Sequence, residues 1–110
     1  MLNIDGNNNI TLTRGDTLTL TLALTKYGEP YVPEADDVIR FAVSKGYKGE
    51  SGYELKLEKV IPHDTLMFTC SSLETTLDYK VYNYDVEITH GDGCVDTFIS
   101  ASLKITGEVE

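Results

Sequence analysis

The feature that most constrains this chain is its alternation of leucine and threonine. Leu18, Leu20, Leu22 and Leu24 alternate with Thr17, Thr19, Thr21 and Thr25, and the same spacing begins earlier at Ile10 and Leu12 with Thr11 and Thr13. A strand points successive side chains to opposite faces, so this pattern gives one greasy face and one wet face; a helix would smear the two together. Between the runs, Thr13-Arg14-Gly15-Asp16 holds a glycine free to take positive φ and an aspartate able to bond its own backbone, so a turn is expected there.

The period of two continues along the chain. Tyr27-Gly28-Glu29-Pro30 predicts a turn, and Val32-Pro33 an extended link, because a proline pushes its predecessor out of the helical region. Val38 to Ser44 reads as a strand with Ile39, Phe41 and Val43 on one face and Arg40 and Ala42 on the other. Gly46 to Gly52 predicts a hairpin loop. Tyr53, Leu55 and Leu57 then alternate with Glu54, Lys56 and Glu58, and Leu66, Phe68 and Cys70 with Thr65, Met67 and Thr69. Ser71-Ser72-Leu73-Glu74 has capping-box spacing and predicts one short helical turn near 72–77. Tyr82, Tyr84, Val86 and Ile88 form a further strand, closed by a Gly91-Asp92-Gly93 hairpin. A last strand runs from Val95 to Ile105, with a bend expected near Ser100 to Ser102.

About seven or eight short strands joined by Gly, Pro and Asp turns, with no room for crossover helices, predict an all-β antiparallel sandwich or barrel rather than a parallel sheet. In 110 residues there is space for one domain, expected over 10–110 and preceded by a loose arm at 1–9.

Eighteen acidic against nine basic residues give a net charge of −9, which repels phosphate backbones and anionic lipid and argues against nucleic-acid or membrane partners. No apolar run reaches the roughly 20 residues of a membrane helix. The polar start at Met1 to Asp5 lacks a secretory layout, so synthesis in the cytoplasm is expected.

Few residues suggest chemistry. Cys70 and Cys94 have no further ligand at metal spacing; they can meet on facing strands, but two free, buried thiols are the expectation. His63 and His90 stand in turns with no nucleophile or second ligand nearby in sequence, and read as solvated turn residues. Asp36, Asp37, Asp64 and Asp92 read as solvated loop carboxylates, since no run matches a calcium loop. Gly46 to Gly52 lacks the lysine and helix of a phosphate cradle. Arg14-Gly15-Asp16 matches an adhesion tripeptide, but a turn needs its Gly and Asp for backbone reasons alone. No catalytic, cofactor or metal residue is assigned, and an enzyme is not expected. Tyr53, Tyr82 and Tyr84 have core parity. Tyr27, Tyr31, Tyr47 and Tyr79 are the loop tyrosines available for an interface or a ligand, with local packing as the alternative.

Several of these segments, taken in order, resemble a known family. Ile10 to Thr17, Gly28-Glu29-Pro30-Tyr31, Asp37 to Val43, Tyr84 to Ile88 and Asp92-Gly93 are similar to the amino-terminal domain of phage baseplate upper proteins, found in tailed phages and prophages of Gram-positive bacteria. The resemblance spans roughly residues 10–106. It implies an immunoglobulin-like sandwich serving as a non-enzymatic structural subunit of a virion, in a baseplate, tail or neck. Its partners would be other virion proteins, with homo-oligomers in an assembled ring. A carbohydrate- or cell-surface-binding module is the alternative.

Overall fold

The computed structural model describes residues 2–47, 49–78 and 80–107. Ten strands form: β1 (Leu2–Ile4), β2 (Ile10–Thr13), β3 (Leu18–Thr21), β4 (Thr25–Lys26), β5 (Glu29–Pro30), β6 (Val38–Lys45), β7 (Glu54–Ile61), β8 (Met67–Cys70), β9 (Val81–Thr89) and β10 (Val95–Thr106). Six of them make one sheet in the order β1-β2-β10-β9-β6-β7. β3 and β8 make the facing layer, and β4 and β5 a small separate hairpin. The chain is an all-β sandwich, compatible with the immunoglobulin-like arrangement expected.

The core is the set of side chains that the alternation assigns to one face. Ile39, Phe41 and Val43 of β6 stand opposite Ile88, Val86 and Tyr84 of β9, and all six are buried. Ile10 and Leu12 of β2 stand beside Leu103 and Ile105 of β10, again all buried. From the facing layer Phe68 reaches down to Phe41, with ring centroids 4.7 Å apart, while Tyr84 flanks Phe41 on its other side at 5.4 Å. These tilted ring contacts add to the gain from removing each ring from water.

Tyr82, only 2% exposed at the start of β9, donates its hydroxyl to the carbonyl of Asp78 at 3.1 Å. A tyrosine at a strand start bonding a few residues upstream is the tyrosine corner of immunoglobulin-type sandwiches. Tyr84 plays a second tethering role, donating to the Asn8 carbonyl at 2.5 Å.

Five details differ from the sequence expectations. The sheet is not wholly antiparallel: β2 and β10 run parallel. They come from the two ends of the chain, so no short hairpin forces them to oppose. The segment expected as a loose arm carries β1, which pairs with β2 through Leu2↔Leu12 and Ile4↔Ile10. Its return loop is fixed by Asp5, whose carboxylate accepts from the amides of Asn7 and Asn9.

The helical turn expected near 72–77 is a single hydrogen-bonded turn, and no described residue is helical. Its capping box does form, with Ser71 N donating to Glu74 Oε1 at 2.9 Å and Glu74 N to Ser71 Oγ at 3.3 Å. Thr75 and Thr76 then spend their hydroxyls on the Ser72 carbonyl, and Thr75 also bonds Asp16 O at 2.7 Å, so tertiary contacts stop the helix. Finally, the irregularity in β10 falls between Thr97 and Ile99, ahead of Ser100. That bulge lets both Phe98 and Ile99 pack against the core. A second register shift, between Val43 and Ser44 where β6 meets β7, leaves Leu55 exposed in spite of its parity.

Candidate functional site

The most organised polar cluster lies where the β5–β6 connection meets the β9–β10 hairpin. The β6–β9 register puts Val38 opposite Thr89, and one step further it brings Asp37 to His90. His90 Nδ1 is 3.0 Å from Asp37 Oδ1, and its Nε2 is 2.8 Å from Asp96 Oδ2. Ionised carboxylates only accept, so this arrangement favours the protonated ring, in which both nitrogens donate. Asp96 raises the affinity of His90 for its proton first, then Asp37, against the opposing effect of burial.

Asp37 is 8% exposed and fully engaged. It accepts from the Glu34 amide and the Tyr31 hydroxyl, each at 2.9 Å, as well as from His90. The Glu34 amide is the leading reason its carboxyl is held below the usual carboxylate range. Asp96 is lowered chiefly by His90, with help from Lys26 at 3.5 Å. Burial, with the Asp37 carboxylate behind it, pushes the Tyr31 phenol up to about 12. The Tyr31 ring packs on Phe98, centroids 5.0 Å apart.

The hairpin that carries His90 is itself tightly bonded. His90 N donates to Cys94 O at 2.8 Å, Gly93 N to His90 O at 2.9 Å, and Cys94 N to Asp92 Oδ1 at 2.9 Å. Gly93 has φ 90°, a conformation that suits glycine. Around this cluster opens a basin of about 640 Å³ bordered by Lys26, Glu34, Asp36, Asp92 and Cys94. Its chemistry is that of a clamp. The Cys94 thiol is pushed up by its contact with Asp92, so at neutral pH it stays protonated, and the Tyr31 phenol does likewise. Among the described residues no group of three or more His, Cys, Asp or Glu side chains is arranged to hold a metal ion.

The expectations for single residues meet mixed outcomes. His90 is not a solvated turn residue, nor Asp37 a solvated loop carboxylate. Both are tied into the clamp because the strand register opposes them. Cys70 is a buried free thiol, raised to about 11 mainly by burial, whereas Cys94 is free but exposed, because it sits at a hairpin turn rather than on the core face.

The four loop tyrosines are not gathered into one platform. Tyr27, 95% exposed, turns the β4–β5 hairpin with φ 54° next to Gly28 at φ 78°. It shares the Lys26 ammonium with Tyr31, at 5.9 Å from each ring. Tyr47 sits at the other end of β6, about 25 Å away along the strand, where it and Tyr53 border a small polar pocket with Arg40, Asn83 and Asp85. Tyr79 lies outside the described residues.

Arg14-Gly15-Asp16 is half-buried and used locally. Arg14 Nε donates to Leu77 O at 3.0 Å, and the Asp16 carbonyl accepts from Thr75. No protein-family model matches this sequence, and no curated protein shows significant similarity to it.

Proposed function

We propose that this protein is a non-enzymatic building block of a phage or prophage virion, in a baseplate, tail or neck, made in the bacterial cytoplasm and acting through protein–protein contacts. The reading starts from the sequence resemblance, and one structural observation supports it. On the outer face of the six-stranded sheet, Val38 and Val95 flank Thr89 in a single row, and Val60 stands beside Arg40 in the next. Val60 is 69% exposed, and Val38 and Val95 are about half exposed. Clustered β-branched side chains on an open sheet face, in a chain whose polar cluster is a closed clamp, suit a contact surface better than a reaction site.

The test is co-expression with baseplate, tail and neck proteins of a tailed phage, together with the products of the neighbouring genes, followed by size-exclusion chromatography with light scattering. Co-migration in a larger assembly is expected, and Val60→Glu with Val95→Glu should abolish it while the fold survives. Free migration beside every such partner would overturn the reading.

A sugar- or cell-surface-binding module is the second reading, favoured by exposed Tyr47 beside a pocket with Arg40, Asn83 and Asp85. Saturable binding on a glycan array, lost in Tyr47→Ala, would turn the assignment that way.

A further inference from the structure

Two of the edge strands of this sandwich, β7 and β3, are defended very differently. β7, at the end of the large sheet, carries Glu54, Lys56, Glu58 and Lys59 and is irregular at its register shift. Charges and irregularities of this kind keep an edge from pairing with another chain. β3 has neither. From Thr17 to Thr25 the sequence holds no charged residue, no proline and no glycine, and among the described strands β3 pairs only with β8.

The unpaired backbone groups of β3 can be assigned. Leu22 N donates to Leu66 O at 2.8 Å, continuing the β3–β8 ladder in which Leu20 opposes Phe68 and Leu18 opposes Cys70. Hydrogen-bonded pairs alternate along an antiparallel ladder, so the even-numbered residues bond β8. Thr19 and Thr21 therefore turn their N–H and C=O groups to the free edge. Beside β3 opens a groove of about 180 Å³, bordered by Ile4, Ile10, Leu20, Leu22, Phe41 and Ile99. None of its described lining residues is charged, in a chain of net charge −9.

We infer that β3 is a self-association edge: a second copy of this chain pairs its own β3 antiparallel to the first across a two-fold axis at Leu20. The sequence is symmetric about that point, with Thr19 and Thr21 on either side and Leu18 and Leu22 beyond. In this register Thr19 of one copy exchanges two backbone hydrogen bonds with Thr21 of the other, and the reverse pair adds two more. Leucine meets leucine on the inner face and threonine meets threonine on the outer. Two chains of the same strong negative charge meet with least repulsion where neither is charged, and this edge is such a place. Self-pairing joins the two β3–β8 layers into one four-stranded layer and covers what remains exposed of the partly buried Leu20 and Leu22. The contact is independent of the virion reading, which rests on the outer face of the opposite sheet.

Sedimentation equilibrium of the purified chain should show a monomer–dimer equilibrium. Thr19→Lys with Thr21→Lys places like charges directly opposite one another and should weaken the dimer by about tenfold; Thr19→Glu with Thr21→Glu should do the same. Mixing the two doubly substituted proteins should restore association, because opposite charges then face each other. In the unaltered protein, amide exchange at Thr19 and Thr21 should slow as concentration rises, while Leu18 and Leu20, already bonded to β8, should not change. A chain that stays monomeric throughout the micromolar range overturns the proposal. So do a lysine variant that associates as well as the parent and a mixture that fails to re-associate.

Discussion

Asp37 and His90 face each other across the β6–β9 register at 3.0 Å, and Asp96 grips the far nitrogen of the same ring at 2.8 Å. One histidine ring between two carboxylates thus fastens the β5–β6 connection to the foot of the last hairpin.

The first prediction concerns pH. His90 holds its proton more tightly folded than unfolded, so its contribution is fully present below the unfolded value of about 6.5 and is lost as pH rises through the higher folded value. Asp37 and Asp96 are lowered, so theirs is present above the unfolded carboxyl value of about 3.9 and is lost on acidification. Thermal melts of the wild type and His90→Gln should differ most between about pH 5 and 6 and converge as the medium becomes alkaline. A gap that stays constant from there into alkaline medium would show that the ring acts by shape alone.

Phe41 is the keystone of the interior, fully buried between Phe68 and Tyr84. Phe41→Ala should cost about 3–5 kcal/mol in urea unfolding, the transfer loss plus an unfilled cavity. A loss near 1 kcal/mol would mean that Phe68 and Tyr84 collapse into the space.

Removing one oxygen tests the tyrosine corner. Tyr82→Phe keeps the ring and deletes the bond to Asp78 O, and should cost about 0.5–1.5 kcal/mol. Chemical denaturation with an unchanged slope is the check, and no change in midpoint would mean that the bond is replaced by water at no cost.

The two thiols should separate cleanly. Cys94 is exposed and Cys70 buried, with its thiol raised to about 11. An aromatic disulfide reagent should therefore modify one thiol in the native protein and both in denaturant. Rapid modification of both in the folded protein would contradict the placement of Cys70.

Local pattern made most of the fold legible. The parity of Ile39, Phe41 and Val43, and of Tyr82, Tyr84, Val86 and Ile88, places the core correctly, because one buried face leaves a strand no other register. Leu55 misleads because a register shift lies beside it, and a one-residue slip sends a side chain to the opposite face. The parallel neighbours β2 and β10 were hidden, since nothing within either segment records a partner about ninety residues away. The clamp was hidden for the same reason. His90 and Asp37 look like ordinary turn residues until Val38 is known to oppose Thr89, and that pairing is the one signal that would have exposed them.

The place of β10 in the large sheet bears on how the molecule can assemble itself. β10, which follows all the other described strands in the chain, lies in the interior of that sheet, between β2 and β9. Until Val95–Thr106 is available, the amino-terminal hairpin has no neighbour to lean on and β9 has one open side. Closure of this sheet therefore waits for β10, a long-range event that is slow by nature. During that wait the uncharged β3 edge stands exposed and most in need of shelter.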